Sequence, residues 1–395
     1  MRIALVVGRI EHKTGIARSA LEVASNLAKD NNVTIVGPVD PVVIKEFSNQ
    51  LNYHQIGFNN YIRPKTLRSD DTESIEENRK ESIATINQSK EINEYLLGSD
   101  YDIIDNWGNW SSVQDVATCR FCFAEYATIS ENRNPIFKKT KTSDMAKKTV
   151  LFLEKERFKY PGTKMIIANS KKVLKEITSN YPSISAPIKV VYNGINTKKY
   201  SFPAKEKIRI KIRSKYQVPD DKRIILSVST HAERKNLELL LSAFPLLQNK
   251  DNIELWIVGV TSNEGKYSDK NIRYFDKTDN TEEFYSAADI VVVPTIYDAC
   301  CNVVIEAAAM GCLVISSDQA GSDEMFKNGL SIIIHSSNIG AKDYAALLNK
   351  NIFDYGKMNK LGENAYEIIH ARTWDVVSRE IRKYYEDVLK MKNKN

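Results

Sequence analysis

Short, largely apolar runs recur along the chain, separated by stretches where apolar residues return every third or fourth position. In the first half the runs are Arg2–Val7, Val33–Gly37, Tyr101–Trp107, Met165–Asn169 and Ile188–Val191. In the second they are Ile224–Val228, Ile253–Val258, Ile272–Phe275, Ile290–Val293, Leu313–Ser316 and Ser331–Ile334. Continuous β-branched runs of this length predict strands covered on both faces, as in a parallel sheet. Between them, Ala17, Ala20, Leu21, Ala24, Leu27 and Ala28 have a helical period and predict a helix over Ala17–Lys29. Further helices are expected over Ser170–Ser179, with Ser170 as N-cap, over Leu237–Leu247 and over Glu282–Ala287. Another runs from Val303 to Met310, with Gly311 as its C-cap. Gln50–Glu94 is polar and reads as loops with one exposed helix, about Ser82–Leu97, and Pro203–Tyr216 is a polar, basic stretch. Thr373–Leu389 is amphipathic, with Trp374, Val377, Ile381, Tyr384 and Val388 on one side.

Strand–helix alternation in both halves predicts an α/β protein built from two Rossmann-like, doubly wound domains. The boundary is placed near Asn193, giving domains 1–193 and 194–372 with a terminal segment 373–395. A chain of 395 residues with 42% hydrophobic content supports separate cores. Met1–Gly8 is too short for a signal-peptide core and reads as a first strand, and no run approaches the ~18 apolar residues of a membrane span. These features lead to the expectation of a cytoplasmic protein. The five cysteines then read as buried thiols, because Cys119 and Cys122 have no second pair at zinc spacing. The net charge of +6 is unevenly spread. Lys138, Lys139, Lys141, Lys147, Lys148, Lys155, Arg157, Lys159 and Lys164 are opposed only by Asp144, Glu154 and Glu156. This run is either a solvated helix face or a patch for an anionic membrane surface or acidic acceptor. Nucleic acid is not expected, since no aromatic-interleaved or helix-turn-helix pattern accompanies the charge.

The candidate chemistry centres on Asp298–Gly311. Asp298 falls in the loop after the run Ile290–Val293, and Glu306 in the following helix. Small residues between them (Ala299, Cys300, Cys301) leave backbone N–H groups accessible where the helix begins. Such an N-terminus holds phosphate, and a carboxylate such as Glu306 can accept hydrogen bonds from a sugar diol. Arg234-Lys235, in Ser229–Asn236 after the run Ile224–Val228, supplies two cations. Trp107, Asn109 and neighbouring Trp110 follow the run Tyr101–Trp107, either as a sugar-binding edge or as loop residues packing on their neighbours.

The acid-x7-Glu arrangement of Asp298 and Glu306 resembles that of retaining glycosyltransferases of the GT-B fold, family four. The Arg-Lys variant is similar to lipopolysaccharide-core glucosyltransferases. Tyr192-Asn193-Gly194-Ile195 resembles the family's interdomain segment, and Gly321–Gly329 with Glu324 its later cleft-lining segment, from which Ser322 and Asn328 depart. The resemblance implies two domains facing a cleft, with a C-terminal helix crossing back to the first. It implies a retaining, metal-independent transfer of a hexosyl unit from a UDP- or GDP-sugar, with no cofactor, to a hydroxyl of a glycan or glycolipid. Arg234, Lys235 and Asp298 would be catalytic, with Asp298, one methylene shorter than the usual Glu, facing the donor sugar. Gly15, Thr230, Phe275, Asn302, Val303 and Glu306 would bind the donor, Glu306 holding the ribose. Trp107 and Asn109 are read on the acceptor side; the histidine many members carry has no counterpart in Phe121–Asn134, so either Glu125, Asn109 or another group serves in its place, or the step needs no such residue. A GT-B sugar-nucleotide 2-epimerase and a non-catalytic nucleotide-sugar-binding scaffold are the alternatives. The protein would work in the cytoplasm, possible contact being with the inner face of the membrane.

Overall fold

The apolar runs assemble into two parallel sheets, described by a computed structural model over residues 1–8, 10, 15–56, 72–133, 141–260 and 269–393. Two compact units result, Met1–Tyr192 with Trp374–Asn395, and Asn193–Thr373.

The first unit contains β1 (Arg2–Val6), α1 (Gly15–Leu27), β2 (Asn32–Val36), α2 (Pro41–Phe47), β3 (Asn52–His54), α3 (Thr72–Leu97), β4 (Ile103–Asn106), β5 (Val116–Cys119), α4 (Phe123–Arg133), α5 (Lys141–Lys159), β6 (Met165–Ala168), α6 (Lys171–Asn180) and β7 (Ile188–Val190). Its sheet has the order β3-β2-β1-β4-β5-β6-β7. Ser170 is the N-cap of α6, its hydroxyl accepting the Val173 N–H at 3.1 Å.

The second unit holds α7 (Lys205–Lys215), β8 (Arg223–Val228), α8 (Leu237–Ala243), β9 (Ile253–Val258), β10 (Ile272–Phe275), α9 (Thr281–Ala287), β11 (Ile290–Val293), α10 (Asn302–Ala309), β12 (Leu313–Ser317), β13 (Ile333–His335), α11 (Ala341–Ile352) and α12 (Tyr355–Ile369). Its sheet order is β10-β9-β8-β11-β12-β13. Both orders are doubly wound, and each reverses direction at one point, β1/β4 and β8/β11. Gly311 ends α10 at φ +62°, a left-handed position suited to a glycine. Helix α13 (Trp374–Lys392) closes the chain by packing Trp374, Val377, Ile381, Tyr385 and Val388 into the core of the first unit.

Several expectations are corrected. The segment read as loops contains the edge strand β3, and α3 starts ten residues earlier than Ser82. Its later half buries one face: Ile92 and Leu96, one turn apart, pack against Ala4, Val6, Val36 and Val113. Strand β5, with helices α4 and α5 after it, was not anticipated. The basic stretch at 203–216 is largely helix α7, with Ile212 and Arg213 buried. Helix α8 stops at Ala243 because Pro245 cannot continue its ladder, and a 3-10 turn takes over. On α13 the fully buried ring is Tyr385, while Tyr384 is only partly covered.

The basic run divides. Lys138 and Lys139 lie outside the described residues. Arg157 and Glu154, counted as surface charges, are buried on the inner side of α5. Lys148, Phe152, Lys155 and Lys159 form its exposed stripe, at helical spacing. All five cysteines are buried. Among the described residues, no helix is long and apolar enough to cross a membrane.

Candidate active site at the second switch point

The site is built where the second sheet reverses its order. Strands β8 and β11 are neighbours, so the segments leaving their carboxyl ends lie side by side. Backbone and hydroxyl groups lace these segments together. The Arg234 carbonyl accepts the Ile296 N–H at 2.9 Å and the Thr295 hydroxyl at 3.0 Å. From the β12 side, the Gln319 carbonyl accepts the Asp298 N–H at 2.9 Å, and the Ala320 carbonyl accepts the Cys301 N–H at 3.1 Å. Gly321, at φ +58°, packs so closely under this loop that a Cβ would collide with the Ala299 carbonyl. The Ser322 hydroxyl then donates to the Cys301 carbonyl at 3.1 Å.

This bracing fixes three charges in one cluster. Asp298 Oδ2 accepts from Arg234 Nη1 at 3.0 Å and from Lys235 Nζ at 2.6 Å. Arg234 Nη1 also donates to the Tyr297 carbonyl at 3.0 Å, and Lys235 Nζ lies 3.2 Å from Cys301 Sγ. The side chains of Arg234, Lys235 and Asp298 keep 21%, 11% and 16% of their exposure. Burial opposes ionisation of Asp298, yet Lys235 and then Arg234 outweigh it and hold the carboxyl below its ordinary range. Burial likewise pulls Lys235 down, and Asp298 more than restores it, leaving the ammonium above its ordinary value. The cluster is therefore ionised at neutral pH and carries one net positive charge. Burial, then Asp298, raises the Cys301 thiol, which stays protonated.

Helix α10 starts beside the cluster. Its first residue, Asn302, accepts from Asn193 Nδ2 at 2.6 Å, and Asn193 also donates to the Cys300 carbonyl at 3.3 Å. Val303 is half-buried, and the first N–H groups of such a helix have no partner within it. In the second turn, Glu306 is 6% exposed and accepts the Tyr285 hydroxyl from α9 at 2.9 Å. Burial, then Glu306, pushes Tyr285 well above its ordinary value, so this hydroxyl remains a donor.

The structure thus gathers Arg234, Lys235 and Asp298 with Asn302, Val303 and Glu306. Thr230 follows β8 and is exposed, its hydroxyl 3.0 Å from His231 Nδ1. The Phe275 side chain belongs to an aromatic cluster, with Tyr216, Trp256 and Phe284 rings at 5.2, 5.0 and 4.9 Å.

Gly15, Trp107, Asn109 and Glu125 belong to the first unit. Gly15 opens α1 and is exposed. Trp107 is corrected: at 2% exposure its ring is core, its Nε1 donates to Asp105 at 2.8 Å, and the Arg120 guanidinium covers it at 5.2 Å. Asn109 is half-buried, 3.5 Å from both Glu154 and Arg157. Glu125 accepts from Asn180 at 3.0 Å. Sequence reasoning missed Tyr285, which reads as one more apolar residue of a short helix, and it missed Asn193 as a side-chain partner of α10.

Residues 208–368 match the family model described as glycosyl transferases group 1. Over 238 residues the chain is 26% identical to an uncharacterized glycosyltransferase of Methanocaldococcus jannaschii, covering 57% of this chain and 60% of that one. The chain spans between 55% and 60% of the length of the first curated relatives it matches. The fold is shared with WaaG, a glycosyltransferase involved in lipopolysaccharide biosynthesis, at TM-score 0.73 and 16% identity over 96% of this chain and 98% of that one. It is also shared with Anabaena Alr3699/HepE in complex with UDP and glucose, at TM-score 0.69 and 14% identity over 98% and 100% of the two chains. The architecture is accordingly that of the GT-B glycosyltransferases.

Proposed function

We propose that the protein is a retaining, metal-independent glycosyltransferase that moves a hexosyl unit from a UDP- or GDP-sugar to a hydroxyl of a glycan or glycolipid. The observation that carries this reading is the Arg234–Asp298–Lys235 cluster at the β8/β11 switch point, beside the N-terminus of α10 and within the matched segment. A nucleoside diphosphate gains negative charge as the glycosidic bond breaks. Arg234, Lys235 and the first N–H groups of α10 are the groups to receive it, and cations held in place before reaction stabilise that charge without reorganising. Asp298 keeps both cations in position through Oδ2 and faces the donor sugar with the rest of its carboxylate. Glu306 takes the ribose. The departing phosphate accepts the acceptor's proton on the face it leaves, which retains the anomeric configuration. In the first unit Asn109 and Glu125, half-buried rather than interior, are the acceptor-side candidates that remain.

The reading places the protein in the cytoplasm, at the inner face of the membrane. The α5 stripe supports that location: Phe152 is 51% exposed and is flanked by Lys148, Lys155 and Lys159, an apolar tip among cations suited to anionic lipid. Binding to anionic vesicles should fall with added salt, and equal binding to neutral vesicles would leave a solvated face.

A calorimetric panel of UDP- and GDP-sugars, followed by transfer with the matched donor and assignment of the product anomer, tests the reading. Binding of one donor, turnover that survives EDTA and a retained anomer are expected. An inverted product, or activity lost in EDTA and restored by Mn²⁺, would overturn it.

A further inference from the structure

We infer that Tyr285 is a positioning residue that holds Glu306 ready for the ribose before nucleotide arrives, so that it sets discrimination between ribo- and deoxyribonucleotides. This inference rests on the ribose-holding role proposed for Glu306.

Glu306 is a carboxylate in an apolar setting, since Val304, Ile305, Ala307 and Ala308 of the same helix are all buried. A carboxylate buried in this way is costly unless it is hydrogen-bonded. Tyr285, itself fully buried, supplies a bond at 2.9 Å. Its ring cannot easily turn away. Tyr200 meets it edge-on at 6.0 Å and is anchored through its own hydroxyl to Thr281, the first residue of α9, at 2.9 Å. The Tyr285 carbonyl accepts the Cys312 thiol at 3.2 Å, at the start of β12. The hydroxyl therefore has a fixed origin, and the glutamate it holds has one orientation. Ordering a glutamate costs side-chain entropy, and a ligand binds more tightly when that ordering is complete beforehand.

The test compares dissociation constants of UDP and 2′-deoxy-UDP, with GDP and 2′-deoxy-GDP as the parallel pair, for wild type and Tyr285→Phe. Wild type should prefer the ribo form by roughly tenfold or more, the worth of a charged hydrogen bond. Tyr285→Phe should narrow that preference to about threefold or less, weakening the deoxy form, which keeps its 3′-hydroxyl, by less than the ribo form. Tyr285→p-aminophenylalanine, which returns a donor to the same ring position, should restore it. This variant also carries the test if Tyr285→Phe does not fold. An unchanged preference in Tyr285→Phe, an equal loss for both nucleotides, or no restoration by the amino variant would overturn the inference. A wild type with no ribo preference would instead refute the ribose role of Glu306, and the inference with it.

Discussion

Each sheet reverses its strand order once, and each brings charged side chains to that point, but the charges live in opposite environments. At β1/β4, Asp105 is fully buried and accepts from Tyr385 at 2.6 Å, Trp107 at 2.8 Å and Thr118 at 2.9 Å. Arg157 is buried beside it, donating to the Thr118 carbonyl at 2.9 Å and to the Asn106 carbonyl. Glu154, 1% exposed, accepts the Phe123 and Ala124 N–H groups that open α4, at 2.8 and 3.0 Å, and the Tyr181 hydroxyl at 2.6 Å. These charges are engaged by the fold itself. At β8/β11 the cations stay partly exposed, with Asp298 as the carboxylate between them. The same topology therefore hosts charge that holds the fold and charge that is available for a ligand. The difference lies in how many protein groups each ion has.

The contrast yields graded predictions. The largest effect belongs to the second site. Arg234→Ala or Lys235→Ala should lower kcat on the matched donor by ~10²–10³-fold, more than either raises KM. Lys235→Arg should rescue only in part, because a planar fork does not replace a compact ammonium. Steady-state kinetics would decide, and a wild-type kcat in these variants would break the contrast.

Arg157→Met should do the converse. It strands the Asn106 and Thr118 carbonyls, costing about 3 kcal/mol of stability, while nucleotide affinity of the folded protein stays at the wild-type value. Denaturant titration and calorimetry on the same sample would show whether the two readouts separate. A smaller loss is expected for Glu306→Ala, with nucleotide binding weakened by ~1–3 kcal/mol in an intact fold.

A last effect concerns pH. Burial lifts Asp105 to about 6, against the donors Tyr385, Thr118 and Trp107 that favour its ionised form. The folded chain holds this proton more tightly than the unfolded chain, where an aspartate titrates near ~3.9. Its contribution to stability is thus complete below the unfolded value and is lost as pH rises through about 6. Asp105→Asn should flatten the pH profile of unfolding between those values. A profile parallel to wild type would remove Asp105 as its source.

The second unit was the more legible in sequence. Its central strands β8, β11 and β12 are rich in aliphatic residues, and Asp298, Glu306 and the Arg-Lys pair follow the ends of two of them. In the first unit, strand β5 is only Val-Ala-Thr-Cys and β3 only three residues, too short for a period to emerge. Burial of Arg157 and Glu154 was hidden for another reason. Local pattern assigns charge to the surface, and only partners 27 to 51 positions away reverse that assignment. Trp107 looked available for a sugar because the carboxylate that claims its indole is itself buried by Tyr385, 280 positions further on. Helical spacing allowed either Tyr384 or Tyr385 on the inner face of α13, and the hydrogen bond to Asp105 identifies the one that turns inward. Tyr285 stayed invisible because a buried tyrosine is usually read by its ring and not by its hydroxyl.

The most direct test of the central claim is a structure of the protein with its matched nucleoside diphosphate bound. The account predicts phosphate oxygens within hydrogen-bond distance of Arg234, Lys235 and the N–H groups of Asn302 and Val303, with a ribose hydroxyl on Glu306. A diphosphate bound elsewhere, with Arg234 and Lys235 still engaged only by their partners within the protein, would contradict it.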